Sequence, residues 1–194
     1  AEVLKGRGYR TGGFVSAFVL DGKWGLDQGF DTYFDDFDLS KSKQMSLGSI
    51  QRPANEVIDK VLPWIDEVKG SPFFAWVHLY DAHSPYRPPE PFATKYAAHP
   101  YNGEIAFADS QVARILDRLD SLQLTDRTVV MVLGDHGESL GDHGEAAHGL
   151  CLSVPARLQQ PARFSPEERQ FNCDRISGAA NFPGRLHVHQ AARC

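Results

Sequence analysis

Cysteine is scarce in this chain. It has three in 194 residues, Cys151, Cys173 and Cys194, all in the last 44 positions. An odd number without metal-ligand spacing gives no disulfide framework and argues against a tetrahedral thiolate zinc site. There is no run of about 18 apolar residues and no signal-peptide pattern at Ala1, so nothing here is expected to span a membrane. Cations are in short supply over residues 1–150, where 14 basic side chains face 22 acidic ones. That balance is no footprint for nucleic acid. Lysine is missing altogether from Cys151 onward, where six Arg stand against three acids. No Met opens the chain, which reads as a segment of something longer. Internal repeats are absent too.

What is present gathers around residues 128–149, TVVMVLGDHGESLGDHGEAAHG. Thr128 to Leu133 is a β-branched and apolar run without polar alternation, the pattern of a strand buried on both faces in a parallel sheet. It hands directly to Gly134, Asp135 and His136, and open α/β sheets place their ligands at the carboxyl ends of such strands. Glu138, Asp142, His143, Glu145 and His148 follow, interleaved with glycines. A lone Asp-His pair is often only a solvated turn. Three histidines and four carboxylates in one loop favour a bound cation. Hard oxygen and imidazole nitrogen suit calcium, magnesium, manganese or zinc without choosing among them.

The rest of the chain reads as α/β. A helix end at Ala1 to Lys5, a glycine break and a short strand from Gly13 to Val19 make half of a βαβ unit. Residues 20–38 have no helical or strand period and read as an ordered loop. Its acids Asp35, Asp36 and Asp38 are better taken as a solvated turn than as a metal cluster. Val57, Ile58, Val61, Leu62 and Ile65 recur at helical steps in a helix that Pro63 should kink and Gly70 should end. Phe73 to Leu79 is a second buried-strand candidate, followed by Asp81 and His83, so two strands deliver ionisable groups at their carboxyl ends. His78, inside that strand, fits a structural or an active-site role equally; His83, just past it, favours function. Asn102 to Leu122 is an amphipathic helix with Ile105, Val112, Ile115, Leu116 and Leu119 inward, and Asp109, Arg114, Asp117 and Arg118 toward solvent. From Cys151 on, no period of either kind survives. That tail, with His187 and His189, reads as disordered or as the product of an altered frame.

Three stretches together carry a resemblance: GDHGESLGDHGEAAHG, FFAWVHLYDAHSPYRPP and GYRTGGFVSAFVLDGKWGLDQGFD. They resemble the bacterial sulfatases of the alkaline phosphatase superfamily, over residues 1–150 and in that family's order. The resemblance implies an α/β fold with a mixed, mostly parallel sheet between helical layers, here incomplete. The domain reading that follows is a partial catalytic domain over 1–150 and a divergent tail over 151–194. It also implies a metal-dependent hydrolase of small-molecule or glycan sulfate esters, with calcium the usual ion and magnesium or manganese compatible. By position, Asp135 and His136 would be two of the metal ligands. His83 would contact the sulfate and help to protonate the leaving group. His148 stands where many relatives carry an active-site lysine, a departure that makes its charge pH-dependent.

The family's nucleophile is made from Cys, sometimes Ser, in a Cys-x-Pro-x-Arg element, and a pair of Asp completes the metal site. No such cysteine element precedes Cys151, so this chain is expected to be an internal fragment, inactive alone. Two other readings stay open. One is a phosphodiester or phosphonate hydrolase or phosphoryl transferase of the same superfamily. The other is a non-catalytic metal-binding remnant. Many relatives are exported, and the sequence does not say whether this one is.

Overall fold

The computed structural model describes residues 1–39, 50–134, 137, 138 and 140. They belong to two compact units, Ala1–Leu124 and the residues from Thr125 on. In the first unit the order of elements is α1 (Glu2–Lys5), β1 (Arg10–Phe14), β2 (Thr32–Phe34), α2 (Ala54–Val68), β3 (Phe73–Val77), α3 (Phe92–Lys95) and α4 (Pro100–Ser121). Two turns of 3-10 helix, Phe18–Leu20 and Gly22–Trp24, lie between β1 and β2. The three strands form one sheet in the order β2-β1-β3, and both pairings are parallel. The expected α/β class with a mostly parallel sheet therefore holds among the described residues.

The central strand is β1, and its composition explains how the layers close. Side chains alternate between faces along a strand. On one face lie Gly12, Phe14 and, from β3, Phe73, all packed against Trp64 of α2. The Trp64 ring stands edge-on to Phe14 at 5.5 Å and to Phe73 at 5.9 Å. A Cβ on Gly12 would lie 2.7 Å from Trp64 Cζ2, so glycine is what lets the indole lie on the strand. On the other face, Phe30, Tyr33, Phe74 and Trp76 form an aromatic layer with ring centroids 5.4–6.4 Å apart. Gly13 sits under Tyr33 in the same way, with the tyrosine Cδ2 2.5 Å from where its Cβ would be.

Helix α2 presents Val57, Ile58, Val61, Trp64, Ile65 and Val68 to the core, at the steps of a helical stripe. It remains helical through Pro63. The charged face of α4 is not purely solvated. Arg114 pairs with Asp59 at 2.7 Å and Arg118 Nε donates to Asp66 at 2.8 Å, both across to α2. These groups are more than a third exposed, so each pair contributes little to stability.

Three further expectations are corrected. The first strand runs from Arg10 to Phe14, not from Gly13 to Val19. The loop over 20–38 contains β2, a three-residue strand whose length leaves no readable period. In the second unit, described residues show a 3-10 turn at Thr125–Arg127, but no strand over Thr128 to Leu133. Val129 is 86% and Met131 63% exposed. A strand exists only through its neighbours' hydrogen bonds, and no strand among the described residues pairs with this run. No helix among the described residues is long and apolar enough to cross a membrane.

Candidate active site

A parallel sheet gathers its strands' carboxyl ends on one edge, and here the ends of β1 and β3 lie side by side, with Phe14 paired to Val77. Beyond β1 come Val15, Ser16 and Ala17, all buried. Beyond β3 come His78, Tyr80, Asp81 and His83. The first of these histidines lies one residue past the strand, and its N–H continues the ladder to the Phe14 carbonyl at 2.9 Å. Its Nδ1 is 3.1 Å from the fully buried Ser16 Oγ. That contact ties His78 into the sheet edge and favours the structural of its two roles.

His83 is held differently. Its Nδ1 lies 2.7 Å from the Ser84 carbonyl oxygen. A carbonyl only accepts, so Nδ1 carries the hydrogen, and Nε2 is left as the nitrogen that takes up or gives away a proton. The ring stacks on Tyr80 with centroids 4.3 Å apart and planes 19° from parallel. The backbone N–H of His83 closes a turn onto the Tyr80 carbonyl at 3.2 Å.

Two carboxylates flank this loop. Asp81, in the loop after β3, accepts the N–H of Ala54 at the start of α2, yet burial dominates and pushes its carboxyl up to about 6 from an ordinary 3.8. Its Oδ2 is buried without a hydrogen-bond partner. Glu104, near the start of α4, is 8% exposed. It accepts the Ala82 N–H at 2.7 Å through Oε2 and the Arg87 N–H at 2.6 Å through Oε1. Burial raises its pKa, opposed by those two N–H groups and by the charge of His83. Among the described residues, Arg52 is the other buried charged residue. Its backbone N–H donates to the Ser16 carbonyl at 2.8 Å, and its guanidinium stacks 4.0 Å from the rings of both Phe34 and Phe37.

The Asp81 geometry has a consequence for stability. Its folded pKa lies above its unfolded value, so the folded state binds the extra proton between about pH 4 and pH 6. Stability associated with this group is full below that window and is lost as pH rises through it. Asp81→Asn keeps an oxygen for the Ala54 N–H and removes the buried charge. We expect it to raise stability at pH 7 by on the order of 2 kcal/mol, or less with the partial solvent screening of the site. At pH 4 the gain should nearly vanish. Urea midpoints of both proteins at the two pH values check this.

Of the residues expected from sequence to form the site, the structure describes His83. Asp135, His136 and His148 lie outside the described residues, as do His187 and His189. Among the described residues, no group of three or more His, Cys, Asp or Glu side chains is placed to hold a metal. Asp35 is engaged in a turn, accepting the Gly22 N–H at 2.7 Å. Sequence reasoning missed Glu104. Glu104 shares a buried helical face with Phe107 and Gln111, but a glutamate in an amphipathic helix is ordinarily assigned to solvent.

The sulfatase family model matches residues 1–170. Mouse iduronate 2-sulfatase is 33% identical over 109 residues, covering 54% of this chain and 19% of that protein. The N-acetylgalactosamine-6-O-sulfatase of Bacteroides thetaiotaomicron is 33% identical over 117 residues, covering 59% of this chain and 23% of its own length. The chain thus spans 19% and 23% of these relatives. The solved structure of Ps i-CgsB superposes with a TM-score of 0.57 at 14% identity, over 79% of this chain and 42% of that one, a likeness of fold.

Proposed function

Because the chain belongs to the sulfatase family, we propose that it forms part of a hydrolase of sulfate esters, with His83 as the acid that protonates the leaving alcohol. The observation that carries this reading is the family match over residues 1–170, which takes in both the His83 loop and the Asp135-His136 pair.

Ester hydrolysis at sulfur needs three things: a nucleophile in line, charge neutralisation on the non-bridging oxygens, and a proton for the departing oxygen. As the nucleophile attacks, the sulfur–oxygen bond to the alcohol breaks and its electron pair goes to that oxygen. His83 supplies the proton from Nε2 and is left neutral, with Nδ1–H still directed at Ser84. Asp135 and His136 would be two ligands of a calcium ion, with magnesium or manganese able to take the same donors. Such an ion, when bound, neutralises sulfate oxygen charge. Calcium takes six to eight oxygen-rich ligands, so two side chains are a part of its shell. His148 stands in the sequence where many relatives carry an active-site lysine. The nucleophile belongs to a Cys-x-Pro-x-Arg element, which is not found before Cys151.

Thermal unfolding of the 194-residue chain with and without millimolar calcium tests the metal half of this reading. A ligand that binds only the folded form stabilises it by RT ln(1 + [L]/Kd), about 2.7 kcal/mol at a hundredfold excess over Kd. The midpoint is expected to rise, and Asp135→Ala with His136→Ala should abolish the rise. An unchanged midpoint in the original chain would favour an inert remnant. The same preparation should release no sulfate from an aryl sulfate by itself.

A further inference from the structure

We propose that Glu104 is the positioning residue of the site histidine: its one carboxylate, delivered from α4, clamps both ends of the loop that carries His83. The proposal rests on the reading of His83 as the proton donor and assigns the group that fixes where its ring stands.

The geometry is that of a fork. Oε2 accepts from Ala82, immediately before His83, and Oε1 accepts from Arg87, four residues after it. Both contacts are short, at 2.7 and 2.6 Å, as expected of hydrogen bonds to an ionised acceptor. Only a carboxylate offers two acceptor oxygens in one plane; a glutamine side chain offers one.

Burying a carboxylate on a helix face is unfavourable in itself, and an apolar side chain would fill the same space without that penalty. The loop gives the charge its purpose. Ala82 has φ of 77°, a left-handed conformation that a residue with a Cβ adopts only when its surroundings impose it. Its N–H is one of the two that Glu104 holds. The neighbouring Gly103 serves the same approach. A Cβ there would lie 2.8 Å from Pro88 Cγ and 3.1 Å from Tyr96 Cβ, so glycine lets α4 come close enough for Glu104 to reach the loop. Two ties of His83, to the Ser84 carbonyl and to the Tyr80 ring, lie inside the loop. Glu104 adds two ties from that loop to α4, one at each end of it. Tyr86, edge-on to Tyr101 of α4 at 5.3 Å, keeps the loop against the helix when the clamp is removed.

The test is nitrogen NMR of the His83 ring at a pH where it is neutral, with amide hydrogen exchange, on the full chain and on Glu104→Gln and Glu104→Ala. The original protein should show His83 with hydrogen on Nδ1. In Glu104→Gln one of the Ala82 and Arg87 amides should exchange on the order of ten- to a hundredfold faster, and in Glu104→Ala both should. In both variants the second ring tautomer should become populated, while amides of β1 and α2 keep their protection. A His83 ring that stays in one tautomer while the two amides accelerate would reduce Glu104 to a structural group. Loss of protection throughout β1 and α2 in Glu104→Gln would overturn the proposal equally, since it confines the effect to one loop. Failure of sulfate ester turnover would remove the role of His83 but leave the tautomer result standing, so the two readings fail separately.

Discussion

His83→Ala, made in a protein that carries this segment together with its nucleophile element, is expected to lower turnover of an alkyl sulfate by about 10²–10⁴-fold, the usual worth of a general acid. The loss should depend on the leaving group. An alkoxide is a strong base and departs poorly without a proton, whereas 4-nitrophenolate departs readily as the anion. Turnover of 4-nitrophenyl sulfate should therefore suffer much less than that of an alkyl sulfate. Equal losses on both substrates would assign His83 to sulfate binding, and no loss on either would remove it from the site. The variant leaves β3 intact, because the ring of His83 stacks on a loop tyrosine and lies outside the core.

The second large effect concerns the sheet that presents the site. Phe14 is 1% exposed, lies edge-on to Trp64, and its carbonyl receives the His78 N–H at 2.9 Å. Phe14→Ala should destabilise the chain by about 3–5 kcal/mol, the transfer loss of a buried ring plus the cavity left behind. Gly12 beside it lacks the side chain that might fill the gap, and Trp64 is pinned between Gly12, Phe14 and Phe73. A urea melt followed by tryptophan fluorescence reads the loss directly. A cost near 1 kcal/mol would mean that Trp64 collapses into the space.

The sequence made some of this legible and hid the rest for identifiable reasons. The stripe Val57, Ile58, Val61 and Ile65 marks α2, because burial of one helix face leaves a period in the residues, and the unbroken apolar run from Phe73 marks β3, a half-buried strand with aromatic rings on both faces. The position of His83 followed, since it stands just past such a strand. The first strand was placed late, from Gly13, because Arg10, Thr11 and Gly12 carry no apolar signature and the readable apolar run begins at Phe14. Gly12 and Gly13 are strand residues whose missing side chains admit Trp64 on one face and Tyr33 on the other. Those partners are 52 and 20 residues away, beyond any local window. Glu104 was hidden because its partners are backbone N–H groups, which have no sequence signature. The Thr128 to Leu133 run shows the opposite error: an apolar composition is necessary for a buried strand, but among the described residues this run has a β-bridge at Leu133 and no paired strand.

Sulfate ester hydrolysis is proposed for the protein that contains this segment. The most direct measurement compares release of sulfate and of phosphate from matched 4-nitrophenyl esters by the protein that contains this segment and its nucleophile element. A sulfatase should cleave the sulfate ester faster, and calcium chelation should abolish that turnover. Preference for the phosphate ester or a phosphodiester would contradict the account and move the chain to the phosphoryl-transfer branch. No turnover of either, with an unchanged calcium midpoint, would leave a remnant.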